Sequence, residues 1–347
     1  MRASPYLWCI VSAIIAFILA IFLGEEPIPP PEIARAVLSR IPFLDMTPAP
    51  RTTEQILFSI RLPRAVLLAL TGAALAGSGA AYQGLLRNPL ADPYLIGVAP
   101  GAGLGAVIAM TWRWPESILG FASVPAAAFL GALGTISVVY RLARVGKATP
   151  VTSLILAGVA VGSFASALTS FLMLQGQHEL RRVVYFMLGG FALSGWTPAL
   201  ASLPYIALAL AALIAFARPL NVLQFGDEQA EQMGLPVERV KLVLVVAASL
   251  AAASAVAFSG IIGFVGLAVP HFLRLLWGPD YRRLVPLSII SGATALLLAD
   301  GIARGAVALS TARAATALHD LPVGVVTAFF GAPFFLYLLR RVRQSYW

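Results

Sequence analysis

Apolar residues in this chain gather into long unbroken runs set apart by short polar punctuation. Ten runs stand out, at roughly 7–23, 62–86, 94–111, 118–140, 151–174, 199–217, 240–258, 261–276, 284–306 and 322–340. A helix rises about 1.5 Å per residue, so about 20 apolar residues cross a hydrocarbon layer about 30 Å thick. The pattern predicts an all-α polytopic membrane protein with about ten transmembrane helices, forming one domain over 1–347. The first run is read as a true span and not a signal peptide, because Leu7 to Leu23 is uninterrupted and no A-x-A cleavage motif follows. Residues 183–196 are apolar but short and broken by glycine, which predicts a helix lying at the interface or against the bundle.

Composition strengthens this reading. Hydrophobic residues make up 59% of the chain and charged residues 11%, less than half the share a soluble domain uses to wet its surface. The formal net charge of +9 comes from arginines dispersed at the ends of apolar runs. That pattern suits anchoring at the lipid surface and excludes a nucleic-acid-binding face. A single cysteine, Cys9, rules out an intrachain disulfide. With ten spans both termini share one side. The short basic loops at 141–147 and 282–283, and the tail at 340–343, place that side in the cytoplasm. Residues 24–55, rich in proline, then form an external water-exposed loop. Glycines four apart (Gly97, Gly101, Gly105 and Gly158, Gly162) mark helix rows that let backbones approach closely.

Several kinds of chemistry are missing. There is no G-x-x-x-x-G-K-[ST] loop, so nucleotide is not bound here by that mechanism. No H-E-x-x-H or G-x-S-x-G occurs, and His178, His271 and His319 are far apart in sequence. No cofactor or metal is expected in this chain, and uphill transport would draw on an ion gradient or on a partner. The clearest ionisable group inside a span is Asp300, with Arg304 one turn later. Such a pair stays ionised and makes a poor proton relay, so a structural or docking role is expected. His271 and Arg274 lie near the inner end of the eighth run, where Arg274 is expected to snorkel to the interface. The longest polar stretch between runs is 218–241. Asp227 and Glu228 open a helix after Gly226, Gly234 closes it, and Pro236 restarts the chain, which predicts two short helices. Arg61, Pro63 and Arg64 begin the second run, with Pro63 in the first helical turn.

Six stretches spread over most of the chain resemble one family: RLPRAVLLALTGAALAGSGAAYQGLLRNPLADPYLIGV at 61–98, LILAGVAVG at 154–162, RPLNVLQFGDEQAEQMGLP at 218–236, SGIIGFVGLAVPHFLR at 259–274, LLLADGIAR at 296–304 and LPVGVVTAFFGAPFFLYLL at 321–339. The chain looks like the transmembrane permease subunit of type II ABC importers for iron chelates, haem and cobalamin. The resemblance implies a homodimer in the inner membrane, with the substrate passage between the subunits. It also implies two partner ATPase subunits, which bind ATP and Mg, and a periplasmic substrate-binding protein. It carries the coupling contacts over to Asp227, Glu228, Gln232 and Gly234. Docking of the binding protein falls to Arg61, Arg64 and Arg304, and a cytoplasmic gate to Asn88, Leu90 and Thr152. Haem or a ferric siderophore is the first expected substrate and cobalamin the second. A gradient-driven secondary transporter is the rival from another class. One departure is the stretch 305–320, longer than the family pattern, with Asp320 where relatives commonly have Glu.

Overall fold

The computed structural model describes residues 4–24, 26, 28–40, 47–118, 121–175, 179–190, 195–313 and 321–344. His178, His319 and Asp320 lie outside them. The described residues form fourteen helices and one two-residue hairpin ladder, Ser117–Ile118 against Phe121–Ala122. In chain order the helices are α1 Pro5–Phe22, α2 Pro30–Leu38, α3 Arg51–Leu85, α4 Val98–Thr111, α5 Ser123–Ala143, α6 Val151–Gln175 and α7 Leu180–Met187. They continue with α8 Trp196–Ala215, α9 Ala217–Leu223, α10 Asp227–Gln232, α11 Val237–Ser259, α12 Val265–Trp277, α13 Tyr281–Arg313 and α14 Val323–Gln344. Seven of these are long and apolar enough to cross a membrane, and α4, α12 and the described part of α14 are shorter apolar helices. All ten predicted spans therefore have a counterpart.

The core of the bundle is α3, whose residues from Thr71 to Leu85 are all buried, with α11 and α13 packed along it. Close approach is set by small residues: a Cβ at Gly72 would overlap the carbonyl of Gly292 on α13, and one at Gly79 the carbonyl of Gly266 on α12. Between apolar helices in lipid, association rests on such packing and not on burial from water. Gly101 and Gly105 meet α5 in the same way, and Gly158 meets the backbone at Leu95. Gly97, in contrast, is not in a helix row. It takes the left-handed conformation (φ 87°) that lets a 3-10 turn, Pro93–Ile96, pass into α4.

Three boundaries depart from expectation, each for a local reason. The second span begins earlier than expected, at Arg51, and Pro63 falls in the first turn of its regular α-helical part, Leu62–Leu85. Proline has no N–H to give the carbonyl four residues back. The helix accommodates this with a π-turn over Ile56–Arg61 just before the proline. Residues 24–55 are not wholly an open loop. Pro30 and Pro31 occupy the first turn of α2, where a missing N–H costs nothing. Ile33 and Ala36 then close a small core with Ala49 and Leu57, and Thr53 Oγ1 donates to Glu32 (3.1 Å). Finally, α12 starts at Val265, after a non-helical stretch from Gly260 to Phe264 whose two ends take positive φ (75° and 69°). That stretch lies within the bundle, so its polar groups are paired: Ile261 N–H donates to Phe186 O (3.0 Å), and Tyr94 Oη donates to Ile262 O (2.9 Å). The stretch 183–196 starts inside a short helix, α7, which ends at Met187 just before Gly189 and Gly190.

Candidate functional site

Polar side chains gather at the two ends of the bundle. At one end, where α1 finishes, Asp300 of α13 has no exposed surface and lies between two guanidiniums. Arg64 donates to Asp300 Oδ1 from Nε (3.1 Å) and Nη2 (2.8 Å). Arg304 Nε stands 2.7 Å from Asp300 Oδ2, an ion-pair contact and not an aligned hydrogen bond. The expected Asp300–Arg304 pair is thus present, and α3 contributes a third member. The arginines also finish α1. Arg304 donates to Leu23 O and, at 3.1 Å, to Ala20 O, while Arg61 donates to Ile21 O (2.9 Å), Phe22 O (3.2 Å) and Glu26 O. The last carbonyls of a helix lack intrahelical donors and carry partial negative charge, so cations are favoured there. Arg61 and Arg304 are therefore buried in this conformation, whereas the Arg64 side chain keeps 26% of its surface.

At the opposite end Gly226 (φ 104°) turns the chain into α10, and Gly234 (φ 83°) ends it. Pro236 then leads straight into the long α11, so only the first of the two expected short helices follows Gly226; a further one, α9, precedes it. Glu228, Gln229, Glu231, Gln232, Met233 and Gly234 are exposed, and so is Phe225 beside them. Asp227 differs, because it is half-buried and its carboxylate is paired within the chain. Its Oδ2 accepts from Lys241 Nζ (2.6 Å), and its Oδ1 lies 3.7 Å from Arg87. Lys241 is 4% exposed and donates also to Glu238 (3.2 Å) and to the carbonyl of Thr149 (3.2 Å). Beside this cluster Asn221 of α9 donates to Asp280 (2.6 Å) and accepts from Tyr281 N–H, tying α9 to the start of α13. Burial opposes ionisation of Asp280. The Asn221 bond, the Arg282 N–H and the charges of Arg282 and Arg283 outweigh it and hold the carboxyl below its ordinary range.

The turn after α3 lies at this same end. Arg87 is left-handed (φ 50°), and Asn88 accepts from Leu90 N–H (2.9 Å), an Asx turn. The turn is held to α12 by His271, whose Nδ1 pairs with Pro89 O (3.2 Å). Arg274 reaches inward to Gln83 (3.1 Å) and to Tyr281 Oη (2.9 Å) instead of snorkelling to the interface. The Gln83 amide, at the buried end of α3, is what draws it in. Thr152 is exposed in the first turn of α6. Further along the turn Asp92 accepts from Tyr94 N–H (2.8 Å), and burial pushes its carboxyl up to about 6.

With two polar ends, a proline-turned α3 and an exposed α10 in place, comparison with known proteins becomes decisive. The model of the FecCD transport family matches residues 12–341. The chain belongs to this family. The cobalamin import system permease protein BtuC of Halobacterium salinarum is 46% identical over 291 residues, covering 84% of this chain and 75% of that one. The hemin transport system permease protein HmuU of Yersinia pestis is 37% identical over 293 residues, 84% of each chain. Among solved structures, a metal-chelate type ABC transporter in an inward-facing conformation matches with a TM-score of 0.80 and 28% identity, over 96% of this chain and 98% of that one. This FecCD protein is thus a multi-pass permease of the ABC importer type, and permeases of this kind are not themselves catalytic.

Sequence reasoning placed the polar ends but missed what connects them locally. Lys241 is one of only two lysines in the chain and opens an apolar run, and that isolation was the available signal. Tyr94 and Asp92 carried no signal, because their partners are Ile262 and a local backbone N–H.

Proposed function

We propose that the chain is the membrane half of a homodimeric, ATP-driven importer of large planar metal chelates, with cobalamin first and haem second. The observation that carries this reading is the exposed face of α10, at the far end of the bundle from Arg64, on a chain with no nucleotide loop of its own. Phe225 and Met233, 61% and 59% exposed, flank the polar residues and supply apolar contact. A soluble ATPase seats there on Phe225, Glu228, Gln232, Met233 and Gly234, with both termini on the cytoplasmic side. At the other end Arg64 is the accessible docking cation for an external binding protein, while Arg61 and Arg304 set the end of α1 beside it.

The passage runs along α6. Both α1 and α6 are mostly unburied within one chain, yet their outer faces differ. The exposed face of α1 is Leu, Ile, Val, Trp and Phe, with a single serine, Ser12, bonded back to Cys9 O of its own helix (2.9 Å), which suits lipid. That of α6 sets Thr152, Ser163, Ser166 and Ser170 among Leu156, Val159, Phe164, Phe171 and Leu174, which suits a protein-lined, partly wet passage. With no charged residue on α6, a bulky chelate passes without being trapped. The relatives named above support a tetrapyrrole-like substrate, because one imports cobalamin and another hemin. ATP binding shifts the bundle between inward- and outward-open states through its differential affinity for them.

Proteoliposomes holding the permease with its co-expressed ATPase and binding protein, offered cyanocobalamin, hemin and a ferric siderophore in turn, test the reading. ATP-dependent accumulation of cyanocobalamin or hemin is expected. Accumulation by the permease alone under an ion gradient would overturn it.

A further inference from the structure

The ammonium of Lys241 ties three separate segments together at the α10 end. Its three N–H groups are all used: on Asp227 of α10, on Glu238 of its own helix, and on the Thr149 carbonyl three residues before Thr152. At 4% exposure the ammonium has little water to fall back on, so separating it from these partners leaves a buried charge uncompensated. Asp227 extends the linkage. Its other oxygen faces Arg87, the left-handed residue just before the Asn88–Leu90 turn, and that turn is pinned to α12 through Pro89 and His271. Between Gly226 and Gly234, both at positive φ, α10 is one short rigid piece with a glycine joint at each end.

We propose that Lys241 is the positioning residue that transmits displacement of α10 to the two segments that close the passage, 149–152 directly and 87–90 through Asp227. This rests on the ATPase-docking assignment proposed above and on the cytoplasmic gate at Asn88, Leu90 and Thr152 that the family resemblance implies. Asp227 is then an internal strut, while Glu228 and Gln232 make the outward contact. When the partner moves α10, the short Asp227–Lys241 ion pair carries the buried ammonium and, through its hydrogen bond, the Thr149 carbonyl with it, while Arg87 follows through its longer, half-exposed contact with Asp227.

The test uses the permease in a Cys9→Ser background carrying Thr152→Cys, co-expressed with its ATPase and reconstituted in proteoliposomes. The readout is the rate of Thr152→Cys labelling by a membrane-impermeant maleimide, with and without ATP and vanadate. With Lys241 intact, nucleotide is expected to change that rate by about fivefold. In Lys241→Gln the ATPase still co-purifies but the nucleotide effect falls below about twofold, and Lys241→Arg restores it. A purely packing role for Lys241 would leave the nucleotide dependence in place in whatever protein assembles. Asp227→Asn is expected to lose the effect too, with no further loss in the double variant. Full nucleotide dependence in either Lys241→Gln or Asp227→Asn overturns the inference, and so does loss of ATPase binding in both. If labelling with Lys241 intact ignores nucleotide although the ATPase co-purifies, the gate assignment fails; if no ATPase co-purifies with Lys241 intact, the docking assignment fails.

Discussion

Replacing Asp300 by Asn removes one charge from the least exposed ionic group among the described residues and keeps its shape. Asp300 has no exposed surface, and both its oxygens face arginines, at 2.8 and 2.7 Å. Breaking a buried ion pair by deleting one partner costs about 3–5 kcal/mol, because the other charge is left without compensation. Here two guanidiniums are left, and Arg61 adds a third cation at the same end of α1. An amide oxygen still accepts from Arg64, which keeps the cost toward about 3 kcal/mol. For a chain of this size about 1 kcal/mol moves the melting temperature by roughly 2 °C, so a fall of roughly 5–8 °C is expected. Heating purified protein in detergent and following its intrinsic tryptophan emission measures this, at one fixed scan rate because unfolding of such proteins is irreversible. Asp300→Asn and Arg304→Gln together should cost less than the sum of the two single changes, because both remove the same ion pair. A single variant that melts within about 1 °C of the parent would refute the reasoning, since it would mean that the cluster is hydrated and its net worth small. The same variant bears on transport. If Asp300 only braces α1 and positions Arg64, ATP-driven uptake survives in the protein that folds, whereas a gradient-driven carrier would lose all uptake.

Three further outcomes follow from the packing and the polar ends. Gly79→Ala should sharply reduce the yield of folded protein, because the new methyl group overlaps the Gly266 backbone, whereas Gly134→Ala, with open space at that position, should express normally; size-exclusion profiles compare the two. Asp92 titrates at about 6 in the folded chain, above its ordinary value near 3.8, so the folded state holds more protons than the unfolded state between those values. Stability should therefore fall as pH rises from about 4 to 6, and Asp92→Asn should flatten that dependence in melts recorded across the window. Glu228→Lys combined with Gln232→Lys should abolish co-purification of the ATPase and leave the melting temperature within about 1 °C, since both side chains are exposed; retained co-purification would place the docking surface elsewhere.

The ten spans, the Asp300–Arg304 pair and the helix opened by Asp227 were all legible in the sequence. Each is a local matter: the length of an apolar run, an i, i+4 spacing, a glycine before acids. The close helix approaches were legible only in outline. Gly101, Gly105 and Gly158 do pack against neighbouring backbones, but Gly97 serves a turn. Arg64 joined Asp300 across 236 positions, and no local pattern announces a partner so distant. Arg274 shows the same limit: an arginine near the end of an apolar run reads as snorkelling until a buried amide such as Gln83 is brought beside it.

By itself the sequence determined that this chain lives in a bilayer as a bundle of helices, because hydrocarbon tolerates only backbone that satisfies its own hydrogen bonds and side chains that are apolar over about 20 residues. It also shows no G-x-x-x-x-G-K-[ST] loop, so nucleotide is not bound in this chain by that mechanism. Tertiary structure decided which charges face outward and which are used within. Asp227 and Glu228 are neighbours of the same charge, yet one binds Lys241 inside and the other meets solvent. The direction of a carboxylate follows from which cation the fold sets beside it, and a buried cation takes the nearest partner because an unpaired charge in a low-dielectric interior costs several kcal/mol.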